Sequence, residues 1–509
     1  MIVARTELHR WWIERCIPTE DAPVVVADNG VEVRLRDENG RSVGFVRLPA
    51  AADLCPATKG LANDLCPCQH WGYMIKGRMR RDATRRRRAG AQVEMSTQSS
   101  YDSSSTPVDE RRVLAEAIVL GAGTAGLAAA AALRHVGVEA IVLEQADQVG
   151  ASWRTRYDGL RLNTPGWMST QPGYRASRRR YGEYPSRDAW IQYLEDYAAH
   201  HRIDIRFGTQ VRRVAPTDGG WRVDTDGGDL DARFVVIATG YDREPNLPDW
   251  PGREDFTGEL IHSSAYRNAK PYRGRDVLVV GPNITGSEVA HFLSRGGAGR
   301  VRVSCRTPPN VMRRKYLGVP VQLNGVALQH VPLPVADEII WFGQRLFFGD
   351  LDRYGLPRSP LGVATTLRRR QRGPVFDDGF IAGVKAGRIE IVAAVDGFDG
   401  PDVLLAGGIR IQPDAVIAAT GYRRGLEGLV GHLGVLDEDG IPFVSGANQC
   451  PSAPGLFFNG YRTELSGQLR LMRPDARAIA RAASRQRPSS TRHWTVPGGV
   501  VSQSVQRRP

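Results

Sequence analysis

Cysteine is scarce along the body of this 509-residue chain: six are present, four of them before residue 70, and none lies between Cys68 and Cys305. That excludes a disulfide framework for the main body and makes a cytoplasmic location the expected one. Long apolar runs are also missing. The longest, Ala117 to Leu133, is interrupted by Gly121, Gly123, Thr124 and Gly126, so no transmembrane helix or stable membrane insertion is expected. The N-terminus, Met-Ile-Val-Ala-Arg-Thr-Glu, lacks the basic-then-apolar pattern of a secretory leader. No Ser-His-Asp triad or close carboxylate pair stands out either. Acids are too few to balance the bases, 55 against 68, giving a net charge of +13. The excess is local: eight Lys/Arg fall between Lys76 and Arg88, followed by a Ser/Thr-rich stretch from Ser96 to Thr106. A solvated basic linker accounts for it, and without a nucleic-acid-binding motif beside it no nucleic-acid partner is expected.

What the chain does have is glycine at informative spacing. Ala117 to Leu120 read as a buried parallel strand, Gly121, Gly123 and Gly126 follow at G-x-G-x-x-G spacing, and Thr124 to Val136 form an alanine-rich helix that includes Ala125. The first glycine permits the tight turn, the second lets backbone approach a pyrophosphate, and the third lets helix and strand pack closely. The helix N-terminus offers free N–H groups to the phosphates. Glu144 ends the second strand, where a carboxylate accepts hydrogen bonds from a ribose and repels a 2′-phosphate, so this half should bind FAD or NAD rather than NADP.

The plan then repeats. Asp276 to Val280 read as a strand, Gly281-Pro282-Asn283-Ile284-Thr285-Gly286 as a glycine turn, Ser287 to Ser294 as a helix and Arg300 to Cys305 as a second strand. At the separation that links Gly121 to Glu144, Gly281 is followed by Ser304, with Arg306 two residues beyond. A hydroxyl and a guanidinium there favour a 2′-phosphate, so the second nucleotide should be NADPH. Asn283 replaces the middle glycine. Its tolerance of glycine-like angles leads us to expect weakened rather than abolished binding.

Residues 1–94 differ in character. Val24 to Arg36 and Ser42 to Leu48 read as short strands around Glu38-Asn39-Gly40. The stretch Cys66-Pro67-Cys68-Gln69-His70 through Gly77 resembles the middle of a cupin-like β-barrel that stops halfway. Cys66, Cys68 and His70 lack a fourth ligand, so no metal site is expected. The segment is read as a residual or wrongly joined piece, with Met95 as the true start.

Between and after the glycine turns, Ser152 and Trp153 follow Glu144 closely, and Leu160 to Pro165 read as a strand running into a turn. Asn163 either bonds a flavin ring or caps the Thr164-Pro165 turn; spacing leaves both open. Val331 to Phe348 reads as a substrate-channel wall or core helix. The expected fold class is α/β with two Rossmann-type domains, the NADP domain inserted into the FAD domain, and a short β-rich N-terminal fragment. The expected divisions are 1–94, a disordered linker 95–112, the first part of the FAD domain 113–270, the NADP domain 271–415, the second part of the FAD domain 416–484, and a disordered tail 485–509.

Phe256, Gly258, His262 and Tyr266 are spaced F-x-G-x-x-x-H-x-x-x-Y. Together with both glycine turns and Ala419-Thr420-Gly421-Tyr422, this resembles the flavin-containing monooxygenase family from about Val113 to Ala483. Gly349 to Leu356 and Val375 to Ile389 look closer to its bacterial and plant YUCCA-like branch. Arg267 after Tyr266 departs from the usual Baeyer–Villiger pattern, which makes ketone insertion less expected. The resemblance implies that NADPH reduces FAD, that O2 adds to the reduced ring to give a C4a-hydroperoxyflavin, and that one oxygen reaches a small organic substrate. It assigns Gly121 to Gly126, Glu144, Ser152, Trp153, Thr164 and Val211 to FAD. Gly281, Asn283, Thr285, Gly286, Ser287, Ser304 and Arg306 go to NADPH, and Asn163 to the oxygen adduct. His262 is read as a structural linker residue rather than a base. A flavin disulfide reductase would need a redox cysteine pair near the first helix, and there is none. An NADPH oxidase or an inactive degenerate flavoprotein is the remaining alternative.

Overall fold

The computed structural model describes residues 24–27, 30–36, 42–48 and 113–487. The chain divides into two compact units, Met1–Val108 and Asp109–Pro509. In the first, three antiparallel strands are described, Val24–Ala27, Gly30–Arg36 and Ser42–Leu48, paired in chain order. The expected continuous strand from Val24 to Arg36 is thus a tight hairpin, Ala27 pairing with Gly30. The Cys66/Cys68/His70 cluster, the arginine run, Met95, the 95–112 linker and the tail beyond 487 lie outside the described residues.

The second unit carries two nucleotide folds. In the first, β1 (Val113–Leu120), α1 (Thr124–His135) and β2 (Ala140–Leu143) form the expected strand, helix and strand. They are followed by α2 (Arg187–His201), β3 (Asp204–Arg206), β4 (Val211–Thr217), β5 (Gly220–Thr225) and β6 (Leu230–Ile237). The sheet order is β3-β2-β1-β6-β5-β4, and a late strand, Leu456–Phe458, pairs in parallel with the second half of β6. Ten of the twelve residues of α1 are buried. Alanine dominates them because the helix is covered on two sides, by the sheet and by α2 and the C-terminal helix Gln468–Arg485, and only a methyl fits where backbones approach this closely.

The second fold contains β7 (Glu259–His262), β8 (Asp276–Val280), α3 (Ile284–Arg295), β9 (Arg300–Ser304), β10 (Glu390–Val392) and β11 (Ala415–Ala418). Its sheet is fully parallel in the order β7-β11-β8-β9-β10. This corrects the expected division at 270/271 and 415/416. Residues 259–262 and 416–418, assigned from sequence to the FAD domain, belong to strands of the second sheet, where β11 pairs with both β7 and β8. Between β9 and β10 the chain forms α4 (Val321–Leu328), α5 (Leu333–Phe348) and α6 (Val363–Arg370). Among the described residues no helix is long and apolar enough to cross a membrane.

Candidate functional site

At the first turn, Gly121 takes φ +102°, and a Cβ added to Gly126 would lie 1.8 Å from the Gly121 carbonyl oxygen. No other residue fits either place. Gly123 differs: a Cβ there would meet nothing within 4 Å, which leaves an open cradle over the N-terminus of α1 of the kind a pyrophosphate fills. Glu144 is buried at the end of β2, and its carboxylate accepts from Ala122 N at 2.7 Å and Ala146 N at 2.9 Å. It therefore clamps the turn, with lone pairs left over for a ribose. Val211 opens β4 next to this edge, since Thr209 N bonds the Glu144 carbonyl at 2.9 Å.

The second turn repeats this geometry: Gly281 has φ +100°, and a Cβ on Gly286 would lie 1.9 Å from the Gly281 oxygen. Asn283 sits at φ −73° and ψ −174°, almost the values of Gly123, −85° and −173°. The middle position thus needs no glycine-like angle, contrary to expectation; what asparagine changes is the room over the turn. Two expected nucleotide contacts are engaged elsewhere. Ser287 is buried and its hydroxyl donates to Asn283 O at 2.8 Å, as a serine inside a helix bonds back along it. Ser304 is buried and donates to Ala393 O at 2.9 Å, tying β9 to the chain after β10. Arg306 is exposed just beyond β9 and has no ion pair with a described residue.

A cavity of about 820 Å³ joins the two folds. Trp153, Asn163 and Thr164 line it from the first fold, and Asn283 and Thr285 from the second, while Ile339, Ile340 and Phe347 of α5 form part of its apolar wall. The helix expected as a channel wall or core helix thus contributes to a cavity wall. Glu144, Ser152, Val211 and Arg306 lie away from the lining. The expected strand at Leu160 to Pro165 reduces to one bridge, Arg161 to Ser186, because its amides bond a loop: Leu162 N donates to Pro185 O.

Asn163 is held from outside its own turn. Its side-chain oxygen accepts from Arg314 Nε at 3.2 Å and Nη2 at 3.0 Å, and its carbonyl accepts from Gln322 Nε2 at 2.7 Å. The amide is thereby oriented by a neighbouring loop and α4, and not spent on a local cap. Arg314 also pairs with Asp378 and lies 3.5 Å from Glu288 of α3. Neither Arg314 nor Gln322 belongs to a sequence motif, and only their placement reveals them. His262 is buried; Ser264 N donates to its Nδ1 at 3.1 Å, which leaves the proton on Nε2, 3.0 Å from Gly421 O. Burial holds its pKa below the usual value. With both nitrogens engaged, it links β7 to the turn after β11 and has no free base to offer. Cys305 and Cys450 are both free thiols.

Residues 118–321 match the family described as pyridine nucleotide-disulphide oxidoreductase. The chain is 35% identical over 365 residues to the indole-3-pyruvate monooxygenase YUCCA1 of Oryza sativa subsp. japonica, covering 70% of this chain and 89% of that protein. It is 34% identical over 357 residues to the probable indole-3-pyruvate monooxygenase YUCCA3 of Arabidopsis thaliana, covering 68% and 81%. In fold it is similar to a flavin-containing monooxygenase from Stenotrophomonas maltophilia, with TM-score 0.55 and 22% identity over 73% of this chain and 98% of that one.

Proposed function

The chain belongs to the flavin monooxygenase family, and on that premise we propose that it binds FAD at the first turn and NADPH at the second, and transfers one oxygen atom of O2 to a small organic substrate. The observation that carries this reading is a cavity lined from both nucleotide folds. When bound, the flavin supplies the oxygen activation and transfer. The protein's share is positional. The cradle at Gly123 and the clamp of Glu144 on the turn suit the FAD phosphates and ribose, with Trp153 and Thr164 on the cavity side. The N-terminus of α3 and Arg306 suit the NADPH phosphates. Asn163, its oxygen held by Arg314, has its amide N–H groups left to donate into the cavity. Ile339, Ile340 and Phe347 of α5 give the cavity an apolar wall that suits an aryl substrate.

A 2-oxo acid such as indole-3-pyruvate is the substrate class that the named activity of the plant relatives supports; an amine or thioether is the second reading. The test combines NADPH consumption, peroxide release and incorporation of labelled dioxygen across aryl 2-oxo acids, amines and thioethers. Label in a product, with peroxide well below NADPH consumed, is the expected result. Peroxide equal to NADPH with every compound would overturn the reading in favour of an oxidase.

A further inference from the structure

The cavity carries uncompensated positive charge. Five charged side chains line it, Arg161, Asp242, Arg372, Arg424 and Glu464. Both carboxylates have arginine partners outside the lining: Asp242 pairs with Arg156 at 3.0 Å, and Glu464 with Arg462 at 3.5 Å, an arginine that Asp475 shares at 2.9 Å. The three guanidinium groups have no ion pair with a described residue.

Arg424 is the most constrained of the three. It follows the turn after β11, and its guanidinium carbon stands 3.7 Å from the centroid of the Tyr241 ring. Its Nη1 reaches Tyr422 O at 3.4 Å, while its Nε is buried without a hydrogen-bond partner. Tyr241 is itself fixed, its hydroxyl donating to Gln371 O at 2.8 Å. Gln371 adopts the left-handed conformation, φ 51°, and Arg372 follows it on the same wall. A stacked guanidinium keeps its fork in one plane, and with its Nε enclosed Arg424 offers a ligand its two Nη groups. The same cavity also has apolar wall residues, among them Met312, Leu328 and Ile340.

We propose that Arg424, stacked on Tyr241 and assisted by Arg372, is the carboxylate subsite of the cavity, so that the chain selects aryl 2-oxo acids over neutral aryl compounds. The inference rests on the monooxygenase reading above and names the substrate class of that site. An anionic oxygen could also come from the nicotinamide nucleotide, whose phosphates have the N-terminus of α3 and Arg306 as partners of their own. The carboxylate is therefore the group left for Arg424.

The test is equilibrium binding to the FAD-loaded, oxidised full chain without NADPH, read from the flavin absorbance. Indole-3-acetate, its neutral isostere indole-3-acetamide, and NADP+ are titrated separately into wild type, Arg424→Gln, Arg424→Lys and Arg372→Gln. The wild type should bind the acid at least tenfold more tightly than the amide. Arg424→Gln should erase that preference and leave amide and NADP+ binding within about twofold, and Arg424→Lys should restore part of it. Should Arg424→Gln fail to retain FAD, Arg424→Lys and Arg372→Gln carry the comparison, each with a reduced preference expected. Equal losses for acid and amide, an unchanged preference, or a larger loss for NADP+ would overturn the assignment. No turnover enters these measurements, so their failure is distinguishable from failure of oxygen transfer.

Discussion

The phenol of Tyr157, in the first nucleotide fold, donates to the carboxylate of Glu288 on α3 of the second at 2.5 Å. Both side chains are buried, and the bond crosses between the two folds beside the residues that hold Asn163. The other Glu288 oxygen has no hydrogen-bond partner, the Arg314 guanidinium standing off at 3.5 Å. Burial wins over the Tyr157 bond and the Arg314 charge, and pushes the Glu288 carboxyl up to about 7. Burial and the neighbouring Glu288 likewise hold the Tyr157 phenol well above its usual value, so it remains a donor.

A pH dependence of stability follows. The Glu288 pKa is higher in the folded chain than in the unfolded one, so between about 4.5 and 7 the folded state binds the extra proton. The stabilisation is complete below the unfolded value and is lost as pH rises through about 7. Glu288→Gln keeps an acceptor for Tyr157 and cannot ionise. Urea unfolding from pH 5 to 8 should show the wild type losing roughly 1–3 kcal/mol relative to this variant. Parallel pH curves for the two proteins would show that Glu288 is ionised throughout.

The glycine turns were legible in the sequence because their requirements are local: the positive φ of Gly121 and the close approach at Gly126 are met by glycine alone. Strand membership was not. Glu259–His262 and Ala415–Ala418 pair with one another across a long stretch of chain, and a short apolar run carries no mark of which parallel sheet it joins. The partners of the Ser287 and Ser304 hydroxyls are not legible, because spacing sets a residue's position along an element and leaves open which carbonyl its hydroxyl will find. Arg314 and Arg424 lie in loops, where periodicity offers no guide to direction. Asn163 was half legible: the sequence left a flavin contact and a local cap open, and the bonds from Arg314 and Gln322 show that the cap is not its use.

At the second turn, Asn283 has ordinary backbone angles and makes no side-chain cap bond to α3. Asn283→Gly should therefore leave thermal stability within a few tenths of a kcal/mol and free the space that Gly123 leaves open in the first turn. Titration with NADP+ should show binding tightened severalfold. Unchanged or weaker binding would mean that the asparagine amide itself holds the nucleotide.

Glu144 satisfies two backbone amides of the first turn, Ala122 N and Ala146 N. Glu144→Ala removes both acceptors, and an unpaired buried amide costs about 1–3 kcal/mol. The flavin-to-protein absorbance ratio of the purified chain should fall at least tenfold at limiting FAD. Glu144→Gln keeps one acceptor oxygen and should lose less. Full flavin content in Glu144→Ala would remove this residue from the site.

Nucleotide choice should reside at Arg306. It stands exposed two residues past β9, without an ion pair to a described residue, and is therefore available to an incoming phosphate. Ser304, its expected companion, spends its hydroxyl on Ala393 O, so discrimination falls on the guanidinium alone. Charge-assisted hydrogen bonds contribute about 1.5–3 kcal/mol each, and Arg306→Ala should weaken NADPH binding roughly ten- to a hundredfold. NADH has no 2′-phosphate and should bind nearly as before. Flavin content should not change, because Glu144 and the first turn belong to the other sheet. Equal losses for NADPH and NADH, with circular dichroism unaltered, would place the 2′-phosphate elsewhere.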